Sequence, residues 1–299
     1  MLDVVIIGSG PAGITAAIYA KRANLNVAVV EKEYLGTGQI AESSRVDNYP
    51  GIPGIDGYSL GEKFREHAES LGVEFTEAQV LSLGQKDGIW IIGCDEDITL
   101  ESKAVIYATG CKNRPLGVPG EEKYYGRGLS FCAVCDGAFY KGKRVAVIGG
   151  GDTALDDAMY LSDICEKVYL VHRREFFRGS ALTLEKLKQK ENVEIIVNVR
   201  VEEITGDKKI DGIILDNKTK LNISGLFAAV GMIPQTELLK EFGVLDESNY
   251  VKASEDTKTT VNGLFAAGDV RTKQLRQVVT AAADGANAIY SVMEYLRNI

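Results

Sequence analysis

An α/β fold of two parallel-sheet units, one inserted into the other, is what this sequence predicts. Three observations predict it. Residues 4–13 and 145–154 repeat one design, in which an apolar run turns through glycines into a helical segment. Each is followed by a second apolar run, which completes a strand–helix–strand unit about thirty residues long. Two further apolar runs end in small-residue turns, Tyr107-Ala108-Thr109-Gly110 and Phe265-Ala266-Ala267-Gly268-Asp269, and read as parts of one discontinuous unit around the second repeat. At 299 residues the chain is long for one domain and comfortable for two.

Leu2 to Ile7 is an apolar run interrupted only by Asp3, the pattern of a strand buried on both faces of a parallel sheet. Gly8-Ser9-Gly10-Pro11-Ala12-Gly13 turns it into a helix expected from Pro11 to Arg22, and Asn26 to Val30 forms the next strand. In the repeat, Arg144 to Ile148 is the strand and Gly149-Gly150-Gly151 the turn. Asp152 to Leu161 is then the helix and Val168 to Val171 the following strand. Between the repeats, Asn113 to Gly120 carries Pro115, Gly117, Pro119 and Gly120, a composition that interrupts regular structure and suits a linker. A second crossing is expected near Glu241 to Asp246. Beyond it come Thr259 to Ala267, an Ala-Gly-Asp turn and a long helix from Gln277 to Leu296. The division expected is 1–113 with 245–299 as one discontinuous domain and 114–244 as its insert.

Apolar residues make up 45% of the chain and charged residues 25%, as in ordinary globular proteins. The formal charge of −8 disfavours a nucleic-acid or anionic-membrane partner. No stretch approaches the roughly 18 consecutive apolar residues that span a bilayer, and a strand beginning at Leu2 leaves no room for a signal peptide. Five cysteines, an odd number in a long chain, do not form a secreted disulfide framework. A cytoplasmic protein with one working pair is expected, with Cys94, Cys111 and Cys165 as structural thiols.

The glycines of each turn supply a tight bend, or let backbone approach a pyrophosphate at the helix N-terminus. Ala154 replaces the third glycine in the repeat and is small enough for close helix–strand packing. The two units differ where their second strands end. Glu31 closes the first, ~20 residues beyond the fingerprint, where an acid can hold a ribose hydroxyl. His172-Arg173-Arg174, with Arg178 beyond, stand at the corresponding place in the repeat. Arginines there bind a 2′-phosphate by charge-assisted hydrogen bonds, whereas a carboxylate would repel it. The inferred assignment is FAD in the first site and NADPH in the second. The competing reading makes the arginine run a solvated charged turn.

Between the two fingerprints lies Cys132-Ala133-Val134-Cys135, followed at once by Asp136. Two thiols so spaced can close into a disulfide and reopen. A structural zinc site usually needs four ligands. No second Cys-x-x-Cys exists, and neither His67 nor His172 has ligand spacing to the pair, so no metal is expected. A helix start at the pair would lower a thiol pKa. Exchange through the pair needs a proton donor for the leaving thiolate. Asp136 is the nearest candidate acid, and desolvation would help it keep its proton. The alternative is that Asp136 merely caps the next turn. Two nucleotide sites flanking a reversible sulfur pair point to a disulfide reductase.

Over essentially its whole length the chain resembles the bacterial low-molecular-weight thioredoxin reductases. The matching stretches are Gly8 to Gly13, Gly38-Gln39-Ile40, Val46 to Gly51, Cys132 to Gly137, Gly149 to Ala154, His172 to Arg178, and Gly268-Asp269 with Arg276-Gln277. The resemblance implies two dinucleotide-binding, Rossmann-like domains of three-layer ββα form, the NADPH domain inserted into the FAD domain. Gly8, Gly10, Pro11, Ala12, Gly13 and Glu31 would then bind the ADP half of FAD. Gly38, Gln39, Ile40, Asn48 and Gly110 would sit in the flavin region. Gly268 and Asp269 would meet the ribityl and pyrophosphate portion, and Arg276, Gln277 and Val278 would approach the isoalloxazine. Gly151, Asp152, Thr153, His172, Arg173, Arg174 and Arg178 would hold NADPH.

The resemblance further implies that Cys135 faces the flavin and that Cys132 attacks the disulfide of thioredoxin or a similar small dithiol protein. It also implies a cytoplasmic homodimer. Departures from the family pattern are mild: Thr37 for a frequent glycine, Asp47 for glutamate, Asp156-Asp157 for two glutamates, Gln235 for asparagine. They leave the NADPH motifs in place, which argues against the ferredoxin-dependent and thiol-oxidase relatives. A redox-sensing flavoprotein without turnover is the reading from another class, and nothing in the sequence favours it. Because the sulfur pair and the nicotinamide site share the inserted domain, the segment order predicts alternation between two domain orientations. Linkers near Val118 to Gly120 and near Gly243 would absorb the rotation.

Overall fold

Leu2–Ile7 forms the first strand, and Val4, Val5 and Ile6 are wholly buried, as a strand covered on both faces requires. The computed structural model describes residues 1–33, 37–43 and 45–299. They divide into two units, Met1–Lys112 with Ile233–Ile299, and Asn113–Met232. The chain begins with β1 (Leu2–Ile7), α1 (Pro11–Arg22), β2 (Val27–Glu31), α2 (Gly57–Ser70), β3 (Glu74–Glu77), β4 (Val80–Lys86), β5 (Ile89–Cys94), β6 (Thr99–Tyr107) and β7 (Cys111–Asn113). There follow β8 (Leu129–Ser130), α3 (Ala133–Asp136), β9 (Arg144–Gly149), α4 (Asp152–Ser162), β10 (Lys167–His172), α5 (Ala181–Lys188) and β11 (Val193–Val197). Last come β12 (Val201–Thr205), β13 (Gly212–Leu215), β14 (Lys220–Asn222), β15 (Gly225–Ala229), β16 (Met232–Pro234), β17 (Leu264–Ala266) and α6 (Val278–Leu296).

In the first unit the sheet order is β3-β2-β1-β6-β5-β4, with β17 also paired to β6. β3, β2, β1, β6 and β17 run parallel, and β4-β5-β6 is an antiparallel meander. Strand β6 pairs with β5 through Thr99–Ser102 and with β17 through Val105–Tyr107, so the meander leaves the parallel sheet midway. Helices α1 and α6 cover one face, packing Ala16, Ala17, Ala20, Ala288, Ile289 and Val292 on Val4, Ile6, Val27 and Val29. Trp90 and Ile92 of the meander pack on the other face with Val5, Ile7 and Tyr107. Register sets Ile7 beside Val30 and Tyr107, and Ala266 beside Tyr107. The carboxyl ends of four parallel strands therefore share one edge, where open α/β sheets bind ligands.

The second unit repeats the plan. Its parallel sheet runs β11-β10-β9-β15-β8. Ala154, Leu155, Ala158 and Leu161 of α4, with Leu187 of α5, cover one face against Val145, Val147, Val168 and Leu170. The antiparallel β12-β13-β14 sheet covers the other, setting Ile204, Ile213, Leu215 and Leu221 against Ala146, Val171 and Leu226. Both units are thus three-layer ββα.

The first crossing, Lys112 to Asn113, falls at the start of the expected linker. That segment is ordered by one buried carboxylate: Glu121, 1% exposed, accepts from the Leu116 and Val118 N–H groups and from the Tyr125 hydroxyl. The second crossing lies at Met232–Ile233, earlier than the boundary expected at 244. The reason is the 3-10 turn Glu237–Phe242, closed by Gly243 in the left-handed region, which delivers Leu239 and Val244 to the first unit's core. Gly243 ends a turn inside that unit.

Candidate redox and nucleotide-binding sites

Cys132 and Cys135 are joined by a disulfide with Cα atoms 5.3 Å apart. β8 ends at Ser130, and Cys132 follows as the N-cap of α3, a single turn of four residues. The Cys135 N–H donates to the Cys132 Sγ at 3.2 Å. Ser130 organises the rest: its Oγ accepts from the Cys132 N–H (3.1 Å) and its hydroxyl donates to Asp136 Oδ2 (2.6 Å). Burial pushes the Asp136 carboxyl above the usual carboxylate range, and the Ser130 hydrogen bond opposes this. As N-cap of the 3-10 turn Gly137–Tyr140, Asp136 makes no side-chain capping bond. One residue beyond the sulfur pair in sequence, its carboxyl is thus turned to Ser130. The other three thiols are buried, and burial raises Cys111 to about 12 and Cys165 to about 11. Among the described residues, no group of three or more His, Cys, Asp or Glu could hold a metal ion.

In the first unit the predicted residues converge on the carboxyl edge of the sheet. Gly8 takes φ 102°, and a Cβ there would lie 2.6 Å from the Ala108 carbonyl oxygen. At Gly13 a Cβ would stand 1.9 Å from the Gly8 carbonyl oxygen, so neither position admits a side chain. Pro11 occupies the first turn of α1, where its missing N–H costs nothing. Glu31 Oε2 accepts from the Ser9 N–H (2.9 Å) and hydroxyl (3.1 Å), fixing the carboxylate at the turn. Gly38 approaches Gly10, and Ile40 and Val278 meet in one apolar cluster. Asn48 Nδ2 donates to Gln277 Oε1 (2.9 Å), and Gln277 caps α6 with Thr280 in a reciprocal box. Beyond Gly110, the Gln235 N–H donates to the Gly110 carbonyl.

Asp269 follows β17 in a 3-10 turn, and its Oδ1 is buried with no hydrogen-bond partner. Desolvation raises its carboxyl pKa, while Lys273 and Arg276 oppose this. Arg276 donates from Nε to the Asp269 carbonyl (3.3 Å) and lies over the Tyr250 ring (4.2 Å). A buried acceptor left open beside a side-chain-free glycine turn and a helix start fits FAD, whose hydroxyls and pyrophosphate need those groups.

In the second unit β9 runs into the Gly149–Gly151 turn and α4. A Cβ on Gly149 would lie 2.7 Å from the Ala154 Cβ, and one on Gly150 would lie 2.2 Å from the His172 ring. The chain after β10 folds back on this turn, with the Arg178 N–H donating to the Gly150 carbonyl (2.7 Å). Asp152 Oδ1 accepts from the Ser180 N–H (2.7 Å), and Thr153 is exposed beside it. His172 is 8% exposed, packs on Phe177, and leaves Nε2 buried without a partner. Burial and the neighbouring arginines lower its pKa. Arg173, Arg174 and Arg178 are exposed, with no acidic partner among the described residues. Free guanidinium groups beside a glycine turn and an open imidazole fit NADPH.

Sequence reasoning missed three contributors. Ser130 is an ordinary serine until β8 is placed beside α3. Glu121 reads as one of two consecutive surface acids. Asp284 was legible in principle, as the lone charge in Ala281-Ala282-Ala283-Asp284-Gly285-Ala286. It is 2% exposed and accepts from Arg271, Lys273 and the Gly268 N–H.

Residues 2–285 match the family model described as pyridine nucleotide-disulphide oxidoreductase. The thioredoxin reductase of Helicobacter pylori is 40% identical over 310 aligned positions, covering all of both chains. That of Bacillus subtilis is 38% identical over 305, covering 99% of this chain and 95% of its own. The crystal structure of thioredoxin reductase from Streptococcus pyogenes superposes with a TM-score of 0.93 at 40% identity, covering 100% of this chain and 99% of that one. Matched from its second residue into its last helix, the chain belongs to the pyridine nucleotide-disulphide oxidoreductase family and is an FAD- and NADPH-dependent oxidoreductase.

Proposed function

We propose that this protein is a thioredoxin-disulfide reductase that passes two electrons from NADPH, by way of FAD and the Cys132–Cys135 disulfide, to thioredoxin or a similar small dithiol protein. The observation that carries this reading is the closed Cys132–Cys135 pair, followed at once by the part-buried Asp136 carboxyl that Ser130 holds. Bound NADPH and FAD supply the two-electron reduction that opens the disulfide. The Cys132 thiolate then attacks the partner's disulfide, forming a mixed disulfide and expelling one partner thiolate, which Asp136 protonates. Cys135 next attacks the Cys132 sulfur, which restores the internal disulfide and releases the partner as a dithiol. Ser130 holds the Asp136 carboxyl in place between turnovers.

On this reading the first unit holds FAD through Gly8 to Gly13, Glu31, Asp269 and the start of α6. The second holds NADPH through Gly151 to Thr153, His172 and the three arginines. The unpaired guanidinium groups favour NADPH as donor over ferredoxin or oxygen chemistry. With donor and disulfide on one unit and FAD on the other, reorientation of the units between half-reactions belongs to the same proposal. So do a homodimer and a cytoplasmic location. No described helix is long and apolar enough to cross a membrane.

The test is steady-state, NADPH-driven reduction of a panel of small dithiol proteins by the wild type, Cys132→Ser, Cys135→Ser and Asp136→Asn. Wild-type turnover with at least one partner is expected. Both cysteine variants should be inactive, and Asp136→Asn should fall by about 10²-fold with loss of the basic limb of its pH profile. No turnover with any partner would sink the proposal.

A further inference from the structure

The segment between β17 and α6 forms an arch carrying Asp269, and it is pinned to α6 at one side chain. Asp284 Oδ2 accepts from the Gly268 N–H, from Arg271 Nε and from Lys273 Nζ, each at 2.8 Å, and Oδ1 accepts from Arg271 Nη2 at 2.7 Å. Its ion-pair partners are buried with it, the side chains of Arg271, Lys273 and Asp284 being 3%, 6% and 3% exposed. Lys273 also donates to the Thr280 carbonyl, and Arg276 ties the arch to itself through the Asp269 and Arg271 carbonyls. Next to Asp284, Gly285 lets α6 close on α1, since a Cβ there would lie 2.2 Å from the Ala12 carbonyl oxygen. A Cβ on Gly268 would likewise meet the Ala12 Cβ at 2.9 Å. The arch thus has no slack on its α1 side, and Asp284 fixes it from the α6 side.

We infer that Asp284 is the positioning residue for Asp269: it holds the Gly268–Lys273 arch so that the open Asp269 oxygen is presented to FAD before the cofactor arrives. The inference rests on the reading of the first unit as the FAD site. A buried two-cation, one-anion cluster is a costly way to stabilise a helix, since apolar side chains do so as well. Its geometry is useful for holding two ends of a short segment in one register. Glu255, the other acid on Arg271, is 87% exposed and serves as the rim control.

The test compares wild type, Asp284→Asn, Val292→Ala and Glu255→Gln, each stripped of FAD and titrated back by flavin fluorescence. Val292→Ala, which removes part of a fully buried side chain two turns along α6 from Asp284, is the control for a general loss of thermal stability. Asp284→Asn should raise the FAD dissociation constant about tenfold or more and alter the bound-flavin spectrum, with Val292→Ala and Glu255→Gln near wild type. Amide exchange in the FAD-free protein should accelerate about tenfold over residues 268–273 in Asp284→Asn alone. If Asp284→Asn does not fold, Lys273→Met keeps the Arg271–Asp284 pair and should give a loss of about threefold. Wild-type affinity and exchange in a folded Asp284→Asn protein, or an equal loss in Val292→Ala, overturns the proposal. A folded wild type that takes up no FAD overturns the underlying reading instead, and the exchange rates still report whether Asp284 orders the arch.

Discussion

The two glycine turns have the same sequence design and solve different problems. In the first, Gly8 sits at φ 102° and Gly13 has no room for a methyl group, so both conformation and contact demand glycine. In the repeat no glycine of the turn takes a positive φ, and the close contact has moved to Gly149, which leaves Ala154 its methyl. The charges differ in the same way. Glu31 is tied to Ser9 by two hydrogen bonds, while the arginines of the repeat stand unpaired. One turn is built around a fixed acid and the other around free cations. Backbone geometry alone therefore does not decide which nucleotide a strand–turn–helix unit takes. On the proposed assignment, the end of the following strand does.

The largest effect expected is electrostatic. Replacing Arg173, Arg174 and Arg178 together by alanine should lower kcat/KM for NADPH by about a thousandfold, about 4 kcal/mol for several charge-assisted bonds, with NADH scarcely affected. Equal losses for both nucleotides would erase the distinction drawn between the turns. Next comes the steric contrast. Gly13→Ala should destabilise the protein by about 3 kcal/mol in urea unfolding, because its methyl meets backbone. Ala154→Gly should cost only about 1–2 kcal/mol, from helix propensity and the loss of one buried methyl.

The remaining contrast concerns the helices behind the turns. Ala16 of α1 is fully buried, and its counterpart on α4 is Asp157, 9% exposed. Burial, with Asp156 beside it, pushes the Asp157 carboxyl from 3.8 up to about 7. A folded-state pKa above the unfolded one means that the native form binds the extra proton. The stability this lends is complete below about pH 4 and lost as pH rises to about 7. Asp157→Asn should flatten that slope and raise stability at pH 8 by about 2 kcal/mol, read by urea unfolding across pH. A wild-type slope retained in the variant would return both helices to equivalence.

Much of this was legible because it is local. Strand β1 and helix α1 lie where the apolar run and Pro11 put them, and Glu31 and the arginines stand at and just beyond the ends of β2 and β10, where the repeat places them. The Cys132–Cys135 pair needed only its spacing. What escaped depends on contacts between segments distant in sequence. Gly243 resembles a linker glycine, yet it ends a turn whose Leu239 belongs to the first core. The meander β4-β5 carries no signal of where it leaves the sheet. Ser130, Glu121 and Asp284 acquire meaning only from the groups they bind, and no spacing rule reports a carboxylate that accepts from Gly268 sixteen positions earlier.

The burial of Cys94, Cys111 and Cys165 has a practical consequence for following the enzyme at work. With those three sulfurs 8%, 5% and 7% exposed, an alkylating reagent added to the native oxidised protein finds nothing to modify. After reduction, only Cys132 and Cys135 become reactive. Intact-mass spectrometry then reads the fraction of molecules whose Cys132–Cys135 pair is reduced, as the share that gains two labels, without any optical signal from a cofactor.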